Sequence, residues 1–321
     1  MAALTRRTTL AAAAALAILA GPAAAWEPEK PIRIVVGYSA GGGTDVVART
    51  VASAAQPFFP VPLVVENRAG ASGTLAADYV ANAPADGYTL LVAGGSESTS
   101  VPHHREVSYD AIEDFRSIIR ITSYPIIITT RADSGYDSID ALMEAARADP
   151  GALSFASSGP GSLYHSAMLA LLARGEVEMK HVPYNGGAPA VAALLGGHVD
   201  VTPASPNEIQ AQHEAGQVIL LAVASDERYP GLPDVPTLKE LGYDMSIENM
   251  KGFVAPAGLP DDVYAYLHDA FKQTMDSETY QALAAQVNLE PAYQSGDDFQ
   301  ATMAEMSETI GGALEAGGPS Q

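Results

Sequence analysis

Three times in this chain a short apolar run breaks on glycine or serine and turns at once into a helical pattern. Ile32 to Val36 runs into Gly41-Gly42-Gly43, then a helix with Val47, Val51 and Ala55 on one face. Leu153 to Ala156 runs into Ser157-Ser158-Gly159-Pro160-Gly161-Ser162, with Leu163, Ala167 and Leu171 in line behind it. Met179 to Val182 runs into Pro183-Tyr184-Asn185-Gly186-Gly187 and a helix carrying Val191 and Leu195. A short, continuously apolar strand suits a sheet covered on both faces, and a helix directly after it is a crossover. The chain is thereby held to layered α/β architecture. Each turn also leaves free backbone N–H groups at a helix start, where an anion is favoured.

Along the chain the alternation is regular. A strand at Leu63 to Val65, a helix ending near Ala83 and a strand from Tyr88 to Ala93 complete a β-α-β-α-β unit. Gly94 to Tyr109 reads as a polar loop beyond a strand's C-terminal end, where open sheets bind ligands. Ser96, Ser98 and Thr99 are candidate contacts there, with a solvated connection as the alternative. The adjacent His103-His104 has no further metal ligands nearby and reads as loop. Arg116 to Thr130, broken at Ser123-Tyr124-Pro125, is the expected crossing into a second domain, and the chain is expected back after Ser225. This divides it into a leader at 1–25, a first domain from 26–124 and 226–321, and a second from 125–225.

Composition bounds the rest. The 321 residues suffice for two domains, and 47% hydrophobic with 17% charged residues implies packed cores. Arg6-Arg7, an apolar run from Leu10 to Ala20 and Ala23-Ala24-Ala25 form a secretory signal, which implies export to the periplasm. Losing Arg6 and Arg7 takes the net charge from −21 to −23, which disfavours nucleic acid or an anionic membrane as partner. With no cysteine, thiolate catalysis and thiolate metal sites are excluded.

The three turns together suggest one shared anionic ligand. A helix end contributes about 0.3–1 kcal/mol toward an anion, about 2 when partly buried. Micromolar binding needs about −8 kcal/mol. The remainder must come from hydrogen bonds by backbone N–H, Ser162, Tyr184 and Asn185. Asp45 admits two readings: a first-turn acid answering the helix dipole, or an acceptor for water, loop amides or a ligand donor. Signatures of a nucleophile elbow, a phosphate loop and a dinucleotide fold are absent. Ser162 and His165 leave a secreted hydrolase as a rival, without a third triad member.

The same residues resemble the receptors of tripartite tricarboxylate transporters, the Bug family. The matching stretches are Tyr38-Ser39-Ala40-Gly41-Gly42-Gly43-Thr44-Asp45 with Arg49, Glu66 to Gly73, Asp86 to Leu90, Val182 to Gly187, Leu232 to Thr237, and Val254 to Gly258. The resemblance implies a type II periplasmic binding protein, two doubly wound α/β domains with a ligand cleft between them. It implies a periplasmic receptor, not an enzyme, without cofactor or metal, that passes a small carboxylate to membrane permease subunits. Output through a membrane sensor kinase is the alternative. The implied ligand contacts are Tyr38, Ser39, Ala40, Gly41, Gly42 and Asp45, then Ser158, Gly159, Ser162 and His165, then Tyr184, Asn185 and Gly186; Ser96 and Ser205 are placed with them. The chain departs from the family pattern at Gly37-Tyr38, where Pro-Phe is usual, and at Asn249-Met250-Lys251-Gly252, where an aromatic residue commonly precedes the glycine. Lys251 stands there as a cation available to a second carboxylate.

Overall fold

The computed structural model describes residues 26–316, so the leader expected at 1–25 lies outside the described residues. The first lobe opens with β1 (Ile32–Val36), α1 (Gly43–Ala54), β2 (Leu63–Asn67), α2 (Thr74–Ala81), β3 (Thr89–Ala93) and the single turn α3 (Ser96–Thr99). A long strand, β4 (Phe115–Pro125), then crosses straight into β5 (Ile127–Arg131) of the second lobe. That lobe continues with α4 (Ile139–Ala148), β6 (Ser154–Ser157), α5 (Leu163–Gly175), β7 (Lys180–Pro183), α6 (Gly187–Leu195), β8 (Val201–Ala204), α7 (Pro206–Glu214) and β9 (Val218–Val223). The chain returns along β10 (Glu248–Pro256) and ends with α8 (Asp261–Asp276), α9 (Glu278–Gln286), β11 (Pro291–Ser295) and α10 (Gly296–Ala316).

The strands form two sheets, β11-β4-β10-β3-β1-β2 and β7-β6-β8-β5-β9. Within each βαβ unit the pairing is parallel, as between β1 and β3 or β6 and β7. The crossing strands are antiparallel: β10 runs against β3 and β4, and β5 against β8 and β9. Outgoing and incoming connections therefore lie side by side, with Glu248 opposite Pro125. Strand alternation builds a double-sided core. On β1, Ile32, Ile34 and Val36 face α1 and α8, whereas Val35 faces α2 and Phe299 of α10. The second sheet packs Phe155 and Ile128 against α5, and Ala156 and Ile127 against α6 and α7.

Two features differ from the sequence reading. Residues 226–247 stay with the second sheet: Leu238, Met245 and Ile247 pack beside Ile128 and Leu171, and the Ile247 amide donates to the Ala224 carbonyl at 2.9 Å. The return thus comes at Glu248 and not after Ser225, because apolar residues in the proline-punctuated segment complete the second core. The last helix also spans both lobes. Phe299 and Met303 sit in the first core, and Met306 and Ile310 reach the second.

The packing predicts opposite effects for two glycine substitutions. A Cβ at Gly252 would press on the Ile119 carbonyl and lie 2.5 Å from the Phe299 ring. Gly252→Ala should therefore lower unfolding free energy by about 2–3 kcal/mol. Gly312, in open space on α10, should raise it by about 0.5–1 kcal/mol when changed to alanine. Urea titration of both variants checks the pair.

Candidate functional site

The first glycine turn is clamped by an acid. Gly41 adopts φ +81°, a conformation glycine alone takes easily, and donates its amide to Asp45 Oδ2 at 2.9 Å. The same oxygen accepts Arg49 Nε at 2.9 Å, and Oδ1 accepts Asn67 Nδ2 at 2.8 Å. Burial works against the Asp45 charge, but these hydrogen bonds outweigh it and hold its carboxyl below the usual range. Asp45 spends its acceptors on Arg49, Asn67 and its own loop. Of its two sequence readings, loop amides are what it serves here.

The segment after β3 is buried. Ser96 through Ser100 are all buried, so the alternative of a solvated connection is overturned. Glu97 explains part of this, because the carboxylate takes amide and hydroxyl donors into the interior: Gly95 N and Ser98 Oγ at 3.1 Å, and Tyr38 Oη at 2.9 Å. Ser96 Oγ accepts the Leu163 amide from the other lobe at 2.9 Å. Ser100 Oγ donates to the Gly161 carbonyl at 2.9 Å. Lobe-to-lobe contacts thus satisfy groups that a loop would leave to water.

On the second lobe, Ser162 caps α5 by accepting the His165 amide at 3.2 Å, while the His165 ring accepts the Gly161 amide at Nδ1. The Ser162 hydroxyl and the imidazole thus each accept a separate backbone amide and make no hydrogen bond to one another. Ser39 donates to the Asn185 carbonyl, Oγ at 2.5 Å, across the gap. Ser72 Oγ donates to the Pro160 carbonyl at 2.8 Å. Gly186 adopts φ +132°, where a side chain is strained, and a Cβ there would stand 3.3 Å from the Ser39 amide nitrogen, a close approach of the two backbones. The three glycine and serine turns do meet.

At their meeting point lies an acid of the chain itself. Glu208, in the first turn of α7, accepts Tyr164 Oη at 2.8 Å and the Ser205 amide and hydroxyl at 3.1 and 2.8 Å, all on Oε2. Its Oε1 reaches across the cleft to the Gly43 amide at 2.8 Å, at the start of α1. The carboxylate also lies directly against the backbone of Gly187, where α6 begins. The helix ends that the sequence offers to a ligand are therefore answered here by Glu208. Ser205, expected as a ligand contact, is the capping residue that positions this carboxylate.

Between the lobes remains a narrow space of about 20 Å³, room for one water. Four of the expected residues line it: Tyr38, Gly42, Ser96 and Ser158. Gly43, Thr44, Leu163 and Gly187 add backbone or small groups, and Tyr124, Tyr164, Glu208, Asn249 and Lys251 complete the wall. The remaining expected residues lie outside that wall. Ala40 and Gly41 are exposed on the rim; Ser39, Asn185 and Gly186 form the lobe contact; Asp45, Gly159, Ser162, His165, Tyr184 and Ser205 support the turns behind it. Glu208 had a legible signal, since Ser205-Pro206-Asn207-Glu208 is a capping box. Tyr124 carried none, because a tyrosine within an apolar run reads as core. Its hydroxyl is buried beside Ser205 and finds no hydrogen-bond partner among the described residues.

Behind the second turn, three histidines from both lobes stack. The His165 and His181 centroids are 3.9 Å apart, with Phe155 4.9 Å beyond His181 and His104 5.6 Å from His165. Burial, with the neighbouring rings, pushes His165 down to about 3, and burial pushes His181 down to about 4. Unfolded imidazoles take up protons below about pH 6.5, whereas these stay neutral until far lower. The stability they carry is thus present above pH 6.5 and lost as pH falls toward 4 and 3. At most each ring loses about 3 kcal/mol, less for the half-buried His181, so unfolding free energy should drop by about 4–6 kcal/mol between pH 7 and pH 4, with about half of that loss removed in His165→Gln, as read from urea titrations at each pH.

A model of the tripartite tricarboxylate transporter family receptor matches residues 47–318. An uncharacterised-family protein from the gbd 5′ region of Cupriavidus necator is 35% identical over 298 residues, 92% of this chain and 90% of that protein. The solved periplasmic binding protein BugD superposes with a TM-score of 0.86 at 30% identity, covering 91% of this chain and 98% of that one. Rpa4515 of R. palustris, solved with adipate, gives 0.84 at 28% identity over 91% and 98%.

Proposed function

This chain belongs to the tripartite tricarboxylate transporter receptor family, and on that premise we propose that it is a periplasmic receptor that closes on a small organic carboxylate. Delivery of the acid to membrane permease subunits is the output that the family name suggests. The observation that supports the binding reading is a narrow inter-lobe space whose wall holds the unspent Tyr124 hydroxyl. A buried hydroxyl without a partner costs about 1–3 kcal/mol, a cost that a ligand acceptor removes. Adipate in a relative of the same fold is consistent with a carboxylate. The space is far too small for such a molecule, so the lobes must part about the paired strands β4 and β10 to admit it. The sensor-kinase output draws no support from these relatives.

Calorimetry of the leader-free chain against adipate, malate, glutamate and benzoate tests the reading. Saturable binding of at least one acid, in the micromolar range, is expected. Tyr124→Phe should weaken that binding by about five- to twentyfold while leaving unfolding free energy within about 0.5 kcal/mol, since its hydroxyl serves no intrachain bond. A folded chain that binds none of the four acids would refute the proposal. For delivery, cells lacking this receptor but retaining the permease should lose uptake of the bound acid.

A further inference from the structure

A lysine in the cleft wall is buried near two carboxylates, Glu97 and Glu208, but in salt-bridge contact with neither. Lys251, on β10, is 3% exposed. Its ammonium donates only to neutral acceptors, Asn249 Oδ1 at 2.5 Å and the Met250 carbonyl at 3.0 Å. Among the described residues it joins no ion pair, although nine other basic side chains do. Space is reserved for it: a Cβ on Gly95 would lie 2.5 Å from Nζ. Burying an ammonium that touches no carboxylate is costly, and an arrangement that retains one at a cavity wall is relieved when an anion comes into contact with it.

The neighbouring acids are already engaged. Glu208 is held by Gly43, Tyr164 and Ser205, and Glu97 by Tyr38, Gly95 and Ser98. The helix-end amide of Gly43 is likewise committed. What the cavity wall leaves is a Lys251 ammonium bonded to neutral acceptors only and a Tyr124 hydroxyl without a partner.

We infer that Lys251, together with Tyr124, is the seat of the cargo's carboxylate in this receptor, and that the glycine-turn helix end is served by the chain's own Glu208. The inference rests on the carboxylate-receptor reading and makes Lys251 the residue that selects an anion. Acids with a carboxylate free to reach β10 bind; the corresponding amides do not. A second carboxylate on the cargo must either displace Glu208 or project away from it.

Protonation gives an independent readout. Burial pushes Lys251 down to about 8, with Glu97 and Glu208 opposing. Facing it are those two carboxylates and the phenols of Tyr38, Tyr124 and Tyr164, whose ionisation burial pushes upward. Affinity for a carboxylate should hold from pH 6.5 to 7.5, then fall by up to about tenfold per pH unit above 8 as the free receptor loses its proton.

The experiment is calorimetry of the leader-free wild type and Lys251→Met with adipate, hexanoate and hexanamide between pH 6.5 and 9.5. Wild type should bind at least one of the two acids and not the amide. Lys251→Met should lose roughly thirtyfold or more in affinity, show a flat pH profile, and unfold at a temperature equal to or above wild type. Equal affinity in the variant, or a flat wild-type profile across pH 8, overturns the assignment to Lys251 while leaving the receptor reading intact. Binding of neither acid by folded wild type removes this seat, and the malate, glutamate and benzoate titrations then decide the receptor reading separately. The wild-type pH profile needs no variant, so a poorly folded Lys251→Met cannot mask the answer.

Discussion

The bond from the Gly43 amide to Glu208 joins the two lobes at the place where their helices point at one another. Four backbone N–H groups at a helix start have no partner in their own helix, and α1, α6 and α7 bring three such ends to one spot. Left dry and empty, that spot would carry both unpaired donors and an unbalanced field. One carboxylate answers it, held in turn by Tyr164 and Ser205. The tight turns follow from the same requirement, because Glu208 leaves no room for a side chain at Gly187. Asp45 performs the companion task behind the first turn, fixing Gly41 so that Gly43 is aimed correctly.

Around this polar centre the two lobes are stabilised separately. Each sheet is covered on both faces by its own helices, so apolar burial holds each lobe together and contributes little between them. What crosses the cleft is mostly hydrogen bonds: Ser39 to Asn185, Ser72 to Pro160, Ser96 to Leu163 and Ser100 to Gly161. Such bonds exchange readily for bonds to water, each at a net cost near 1 kcal/mol. That balance suits parts that separate and rejoin. Continuity is kept elsewhere, by β4 and β10 side by side and by α10, whose apolar face reaches both cores.

Much of the lobe architecture is legible in the residues. Runs such as Ile32 to Val36 and Thr89 to Ala93 carry strand character in four or five positions, and the glycines after them mark the helix starts. Residues 226–247 misled because prolines and charges there resemble a linker, whereas Leu238, Met245 and Ile247 are spaced irregularly and still reach the core. The Gly94–Tyr109 stretch misled for the opposite reason. Its hydroxyls and Glu97 look solvated in sequence, but they bond to one another and to the second lobe.

The sequence by itself determined the layered α/β lobes, the family and the presence of three amide-rich turns, because local periodicity and glycine placement are properties of neighbouring residues. Only the tertiary structure decided what those turns hold. Glu208 lies 165 positions from Gly43, and Lys251 meets Tyr124 and Glu208 only through the pairing of β10 with β4 and the closing of the lobes. Burial is what changes these groups. In water a glutamate, a lysine and a tyrosine hydroxyl are ordinary; brought around about 20 Å³ of shared space, the glutamate becomes a fastener, the lysine is left with neutral acceptors only and the hydroxyl without a partner.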